Sequence, residues 1–443
     1  MTNHGKLGRF GPLATQVSTT LQNTSRRAFL GTASANFLIA VGGTIAGIIA
    51  ARLLGPSGRG ELAAATAWAG ILTVIATLGV PQAITFFSAR NPGKKDEIFS
   101  ASLLLWVMQG SAVVVIGWMA ATLVLGRFQP AALPAVQIYL FSVPFGLLVT
   151  YLSTMAQGLK RFGLFNGMRI ASATAFPLVM IMSLLVGIND AKSIVTLMLG
   201  AQIVTAFLAL IVFVARIRPA IHLVTIQIWE LLRYGIRSYW GSLSWMANAR
   251  LDQLIMSAFV DLGQLGLYAV AVSYSTVLFP LSGAFAMVLF PRVAGERGKV
   301  AERSIRRALR ANLLVSSTGA LLLALGSPFL LPLLFGVEFS DAVLPAIILL
   351  VAIVILGFNY VLSDGLRGMG HPGSTSIAEF TGTVVTIAGL VVLLPRFGIY
   401  GAALTSVLSY LSVAAILYVA FHRYVRLPAA DFGESNESLD SLA

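Results

Sequence analysis

The chain has 443 residues, 57% of them hydrophobic and only 11% charged, with a mean hydropathy of +0.86. A soluble globule needs far more polar surface, so the composition specifies a polytopic membrane protein, and the long apolar runs described below make it an all-α one. Cysteine is absent, which excludes disulfides, thiolate metal sites and cysteine nucleophiles; the four histidines (His4, His222, His371, His422) are too scattered to form a metal site.

The chain opens on a polar stretch, residues 1–24, followed by Ser25-Arg26-Arg27-Ala28-Phe29-Leu30, which matches a twin-arginine export signal. The apolar run behind it is long enough to span a bilayer, so the arginines are read as anchors of a first membrane helix. Stretches of about 20 apolar residues cross about 30 Å at about 1.5 Å per residue. They recur near residues 29–52, 62–89, 98–126, 133–157, 165–187, 193–215, 235–260, 264–290, 308–330, 343–364, 374–394 and 399–421. Gly55-Pro56, Asn91-Pro92-Gly93, Asn189-Asp190, Gly370-His371-Pro372-Gly373 and Pro395-Arg396-Phe397-Gly398 supply the turns. The stretch 431–443 holds four acids and no base and reads as a disordered tail.

With twelve crossings and a cytoplasmic amino terminus, all but six of the 30 basic residues fall on the inside. The six are Arg52, Arg59, Arg127, Lys192, Arg250 and Arg396. The formal charge of +13 is therefore a topology signal, and no nucleic-acid partner is expected. Both termini are placed in the cytoplasm of a cell whose plasma membrane holds the protein.

Residues 54–65, Leu-Gly-Pro-Ser-Gly-Arg-Gly-Glu-Leu-Ala-Ala-Ala, are echoed by 260–271, Val-Asp-Leu-Gly-Gln-Leu-Gly-Leu-Tyr-Ala-Val-Ala. The stretch Gln157 to Gly163 is echoed by Asp364 to Gly370 at nearly the same offset. Two turns at one offset imply two six-helix repeats, and an even number of crossings makes them parallel about an axis normal to the membrane. The chain divides into a cytoplasmic segment 1–28, a first bundle 29–216, a linker 217–233, a second bundle 234–424 and a tail 425–443. In the linker, Ile221, Val224, Ile228, Trp229 and Leu232 have the spacing of an amphipathic surface helix. Arg303, Arg306, Arg307 and Arg310 read either as a topology anchor or as a capture site for an anionic substrate.

The seventh span carries Asn248, Arg250 and Asp252 inside its apolar run, where each charge costs about 2.5 to 3.5 kcal/mol unless compensated. Asn248 and Asp252, four apart, share a face, and Arg250 points elsewhere. Arg250 lies in the outer half, where it either serves a cavity or snorkels to the interface. Asp252 either lines a cavity or is satisfied by a hydroxyl or amide of a neighbouring helix. Further intramembrane polar groups are Asn36, Gln82, Thr85, Gln109, Gln137, Gln202, Asn312, Asn359 and Glu379; most such groups hydrogen-bond between helices, and a minority face a cavity. The candidate cavity set is Arg250, Asp252, Asn248, Asn36, Gln82, Gln109, Asn359 and Glu379. Arg52 and Arg59 are candidates at the outer mouth, with fixing the first turn as the alternative.

Ala51-Arg52-Leu53-Leu54-Gly55-Pro56-Ser57-Gly58-Arg59-Gly60 resembles the turn after the first helix in Wzx-type polysaccharide-repeat flippases of the multidrug/oligosaccharidyl-lipid/polysaccharide (MOP) exporter superfamily. An extra leucine separates Arg52 from Gly55. Gly79 to Thr85 and Asn248 to Asp252 are also similar to that family. The resemblance implies a V-shaped transporter of two six-helix bundles, without cofactor or metal. It also implies movement of undecaprenyl-diphosphate-linked oligosaccharide from the inner to the outer leaflet, for polysaccharide biosynthesis. Membrane lipids and a polysaccharide polymerase with its export machinery would be its partners, and a monomer is expected. Two rivals stand against this reading. A cation-coupled multidrug exporter would want a buried carboxylate in the first bundle, where Glu61, Asp96, Glu97 and Asp190 all lie at helix ends or in loops. A membrane polymerase or ligase would want a sizeable catalytic outer loop, and only 327–342, with Glu338 and Asp341, approaches one.

Overall fold

The computed structural model describes residues 11–222, 226–296 and 298–426. The expected acidic tail 431–443 and the first ten residues lie outside them. The described chain is helical, with no strand among the described residues. Among the described residues, nine stretches are long and apolar enough to cross a membrane. Two of these hold two crossings each. The stretch Ser34–Thr77 breaks at Gly55, whose φ of 61° suits a residue without Cβ. At about 1.5 Å per residue it would otherwise run to roughly twice the bilayer thickness. Pro372–Val425 breaks at Gly398, φ 55°, and folds back on itself: the Thr386 hydroxyl meets that of Ser409 at 2.9 Å.

The helices are α1 (residues 11–54), α2 (56–90, interrupted at Leu78-Gly79), α3 (Lys95–Phe128), α4 (Leu133–Gly158), α5 (Phe162–Val186) and α6 (Ala191–Ile217). The second half follows with α7 (Ile226–Phe259), α8 (Leu262–Ala294), α9 (Lys299–Phe335), α10 (Val343–Gly368), α11 (372–397) and α12 (399–426). α7 is too polar to stand among the nine apolar stretches, yet its 34 residues run from one end of the bundle to the other. The connections α2–α3, α4–α5, α6–α7, α8–α9 and α10–α11 lie together at what is here termed the basic end, after its lysines and arginines. The remaining connections define the opposite end.

The linker differs from the expected surface helix. Residues Ile226 onward are already the first turns of α7, and Ile228, Leu231 and Leu232 pack into the core of the first half. The chain just before them is clasped by the start of α3: Lys95 Nζ donates to the Ile217 carbonyl at 2.9 Å, the Asp96 carboxylate accepts from the Ala220 amide at 3.0 Å, and Gln227 donates to Glu97 at 2.6 Å. Polar side chains thus satisfy the helix-end groups that no intrahelical bond reaches.

The repeat is visible as packing. Gly60 on α2 and Gly266 on α8 face one another so closely that a Cβ on Gly60 would overlap the Leu262 carbonyl, and one on Gly266 would overlap the Pro56 carbonyl. The two turns preceding these glycines solve one problem differently. The first uses Gly55 at positive φ, and the second uses Asp261, whose carboxylate caps α8 by accepting from the Gly263 amide at 2.8 Å.

Three apolar cores organise the molecule. One is shared by both halves and lies toward the opposite end, with Ala50, Leu62, Ala64, Leu125 and Ile194 from the first half and Leu265, Tyr268, Phe335 and Ala402 from the second. A second, built from Ile98, Leu105, Leu152, Phe213 and their neighbours, belongs to the first half with the start of α7. The third, around Leu289, Ile305, Leu362 and Phe421, belongs to the second half alone. One joint core at one end and two separate cores at the other make a V, closed at the opposite end and open at the basic end.

Candidate functional site

The closure is built from side chains that cross between the halves. Arg52 Nε donates to the Leu334 carbonyl at 2.8 Å and its Nη2 to that of Leu333, so α1 grips the last turn of α9. Gln129 donates to the Val260 carbonyl at 3.0 Å, the Trp68 indole to Ser257 at 3.0 Å, and Arg59 to the Ser273 hydroxyl at 3.3 Å. The Nε of Arg59 is sealed from solvent without an acceptor. Arg250 lies within electrostatic reach of Arg59 and of Tyr139. It stands nine residues before the end of α7, about 14 Å along the helix, with an exposed side chain. Two guanidiniums thus lie within electrostatic reach of one another near the closed end, one of them bonded to the Ser273 hydroxyl.

Toward the basic end the halves part. On α1, Leu38, Val41 and Ile45 are exposed and apolar and form the lipid-facing stripe. Asn36, Ala40, Gly43 and Gly47 lie on the other side of the same helix, at the three- and four-residue steps that hold one face. Gly47 sits against Ser273 of α8, Gly43 faces open space, and Asn36 is exposed. Exposure on the face turned from Leu38, Val41 and Ile45 marks a recess beside α1, which begins where Gly47 meets Ser273 of α8 and extends past Gly43 to Asn36. Arg169 of α5 enters the same region: its Nη2 donates to Asn36 Oδ1 at 2.9 Å, and its guanidinium lies 5.1 Å from the Phe165 ring.

The polar groups of the second half form a separate cluster. Asp252 is buried, accepts from the Tyr268 hydroxyl at 2.6 Å and meets the Gln253 amide at 2.7 Å. Tyr268 also bonds Ser406, and Tyr410 lies within electrostatic reach of both Asp252 and Glu379. The cluster therefore ties α7, α8 and α12 together, with Glu379 of α11 within electrostatic reach. Asn359 on α10 joins it through backbone, donating to the Tyr410 carbonyl at 2.8 Å. Gln109 points into the first-half core, where its amide oxygen accepts from Tyr151. Gln82 is exposed on the short helical piece that follows the Gly79 break. The side chain of Asn248 lies outside the described residues. Of the residues singled out in the sequence, the structure brings together Arg59 with Arg250, and Asp252 with the neighbourhood of Glu379 and Asn359. Asn36 stands apart in the recess, beside Arg169, one of the bases that the topology reading counts on the inside. Tyr268 and Ser273 carried no signal of their own, since their roles arise where α8 crosses α7 and α2.

A cavity of about 250 Å³ lies at the basic end, lined by Phe87, Arg90, Asn91, Lys94, Gln227 and Glu230 among others. It sits between the end of α2 and the start of α7, within the clasp around the linker rather than in the recess.

Residues 26–295 match the family model described as "Polysaccharide biosynthesis protein", more than half of the chain. The chain belongs to the polysaccharide biosynthesis protein family. It is 24% identical over 200 residues to a Haloferax volcanii protein named "Probable low-salt glycan biosynthesis flippase Agl15", covering 43% of this chain and 41% of the relative. It is 27% identical over 187 residues to the "Uncharacterized membrane protein MJ1068" of Methanocaldococcus jannaschii, covering 41% and 37%. The match thus spans about two fifths of these curated relatives. In fold, this member of the polysaccharide biosynthesis protein family is similar to the lipid II flippase MurJ in an inward closed conformation, with a TM-score of 0.73 at 15% identity, covering 89% of this chain and 87% of that one. It is also similar to an inward-facing MATE transporter, with a TM-score of 0.71 at 15% identity, covering 87% and 94%. The protein is a multi-pass membrane protein with the MOP superfamily fold.

Proposed function

We propose that this protein is a flippase that carries polyprenyl-diphosphate-linked oligosaccharide from the inner to the outer leaflet of a bacterial plasma membrane, and that it is a carrier rather than an enzyme. The observation that carries the reading is the V-shaped recess: it opens at one end, reaches lipid beside α1, and holds amide and guanidinium groups on its walls. A lipid-linked sugar diphosphate is a large polar anion on an apolar tail, and such a recess suits it. Membership of the polysaccharide biosynthesis family supports the same substrate class. The basic end faces the cytoplasm in this reading, with both termini there, as the positive-inside rule requires. The bundles 29–216 and 234–424 then rock about the Gly60–Gly266 crossing to expose the recess alternately. An inside-negative potential favours outward movement of two negative charges by about 4.6 kcal/mol per 100 mV, from about 2.3 per charge.

A multidrug exporter coupled through the first half is the rival within the fold. Among the described residues, Asp252 is the one charged residue that counts as buried, and it belongs to the second half. The experiment is deletion of the gene, with lipid-linked repeat units assayed in each leaflet. The reading expects accumulation in the inner leaflet and loss of exported polysaccharide, and normal export in the deletion strain overturns it.

A further inference from the structure

We infer that Arg169 and Asn36 form an anion-receiving site for the diphosphate of the lipid-linked substrate, on the first-half wall of the recess. The inference rests on the flippase reading and adds to it a residue that topology alone would assign to anchoring.

Arg169 lies seven residues into α5, about 10 Å from its start at the basic end. A guanidinium at that depth in an apolar helix needs compensation. None of the ion pairs among the described residues involves it. It does not turn to lipid. The exposed stripe of α5 runs through Gly167, Ala171, Thr174, Leu178 and Leu185. Arg169 sits on the other side, in line with Ala173, Phe176 and the buried Met180. Asn36 is likewise on the side of α1 opposite its lipid stripe, in line with Gly43 and Gly47. Two helices therefore turn their polar groups away from lipid and toward one another, at the level where the recess is open.

The chemistry of the pair selects the ligand. Asn36 gives its amide oxygen to Arg169, and the group it has left over is the amide N–H₂. Arginine has five N–H donors and no acceptor, and one donor is used here. What remains on both side chains is donors only, with one positive charge and no carboxylate paired to it. Such a site takes an anion with several acceptor oxygens, which phosphate oxygens supply in bidentate form. Phe165 adds a cation–π contact, its ring centroid 5.1 Å from the guanidinium, which uses none of the N–H donors. Sugar hydroxyls both donate and accept, and a polyprenyl chain does neither, so among the parts of the substrate the diphosphate fits.

The test uses the purified full chain in nanodiscs of neutral lipid. Four probes are compared by competition binding: undecaprenyl diphosphate, undecaprenol, inorganic diphosphate and phosphatidylglycerol. The parent protein is expected to bind undecaprenyl diphosphate well above the other three. R169Q, and independently N36D, which places a carboxylate against the guanidinium, are expected to weaken that binding by about tenfold or more. R169K should fall between, because an ammonium keeps the charge and loses the fork. R396Q, a substitution at the opposite end, serves as the control, and thermal unfolding profiles establish that each variant is folded. If R169Q and N36D fold and bind undecaprenyl diphosphate as the parent does, the inference is overturned while the flippase reading stands. Binding of phosphatidylglycerol that matches undecaprenyl diphosphate and depends equally on Arg169 overturns it in favour of an ordinary lipid-headgroup site. A folded parent that binds no polyprenyl diphosphate removes the flippase reading, and this site with it.

Discussion

Gly60 and Gly266, 206 residues apart, press their backbones together so tightly that neither position has room for a methyl group. The obstacle on each side is a carbonyl of the partner helix, Leu262 facing Gly60 and Pro56 facing Gly266, and these two residues are themselves 206 apart. The crossing is thus symmetric under exchange of the halves, as a pseudo-twofold axis passing through it requires. Backbone cannot move aside as a side chain can, so G60A and G266A are each expected to lower stability by about 1 to 3 kcal/mol or more through overpacking. Thermal unfolding in detergent and the amount of protein in membranes read this out. An alanine at Gly43, which faces open space, should leave both nearly unchanged.

The repeat could be read from two short turns because turn chemistry is local: Gly55-Pro56, and the glycines four to five residues after each turn, carry the constraint in their own identity. The number and order of the spans were legible because length and hydropathy fix what can cross a bilayer, whereas α7 and α9 each begin nine residues before the apolar runs expected from 235 and 308. The direction of the V was not legible. It depends on which apolar faces find one another across 206 residues, and Leu265 and Leu289 look alike as sequence although one joins the shared core and the other a separate one. Arg169 was hidden for a related reason. A base near the inner end of a span has the signature of a topology anchor, and only the position of α1 shows that it turns from lipid toward Asn36.

Asp252 and Tyr268 test whether the polar cluster of the second half couples transport to an ion. The hypothesis is motivated by Asp252 and Glu379, carboxylates inside the helices that converge on Tyr410. D252N keeps the shape and a hydrogen bond from Tyr268, so the fold should persist while any dependence of reconstituted flipping on protons or sodium is lost. Y268F removes the donor held at 2.6 Å and should destabilise the second half by about 1.5 to 3 kcal/mol, the usual range for a hydrogen bond to a charged group. Unchanged flipping and unchanged ion dependence in both D252N and E379Q would remove this cluster from the transport cycle.

Arg52 is expected to act as a latch on the closed end. Its two bonds to the carbonyls of Leu333 and Leu334 satisfy the end of α9 and tie it to α1. R52Q cannot reach both carbonyls, so the closed arrangement should lose population to one open at that end. The chain has no cysteine, so S273C gives a single reporter beside Gly47 where the halves meet; because it also alters the acceptor of Arg59, the comparison is S273C with and without R52Q. A membrane-impermeant maleimide added from the outer side should label S273C several-fold faster in the R52Q background. Equal rates would mean that the shared apolar core alone keeps the end shut.

His371 supplies a pH prediction outside the membrane spans. It stacks on Tyr424 with ring centroids 3.6 Å apart and planes 7° apart, joining the α10–α11 turn to the end of α12. Burial holds its imidazole below the ordinary value of 6.5, because protonation would place a charge in a poorly solvated contact. With the folded pKa depressed, the unfolded chain binds the proton more readily, so the stabilising contribution is fully present above about pH 6.5 and declines as pH falls through the ordinary value toward the folded one. Melting profiles from pH 8 to pH 5 should show the parent losing stability over the acid part of that range. H371F keeps an aromatic ring against Tyr424 and removes the titration, so its profile should be flatter there. A parallel decline in the two proteins would place the pH sensitivity elsewhere, in other groups that titrate over the same range.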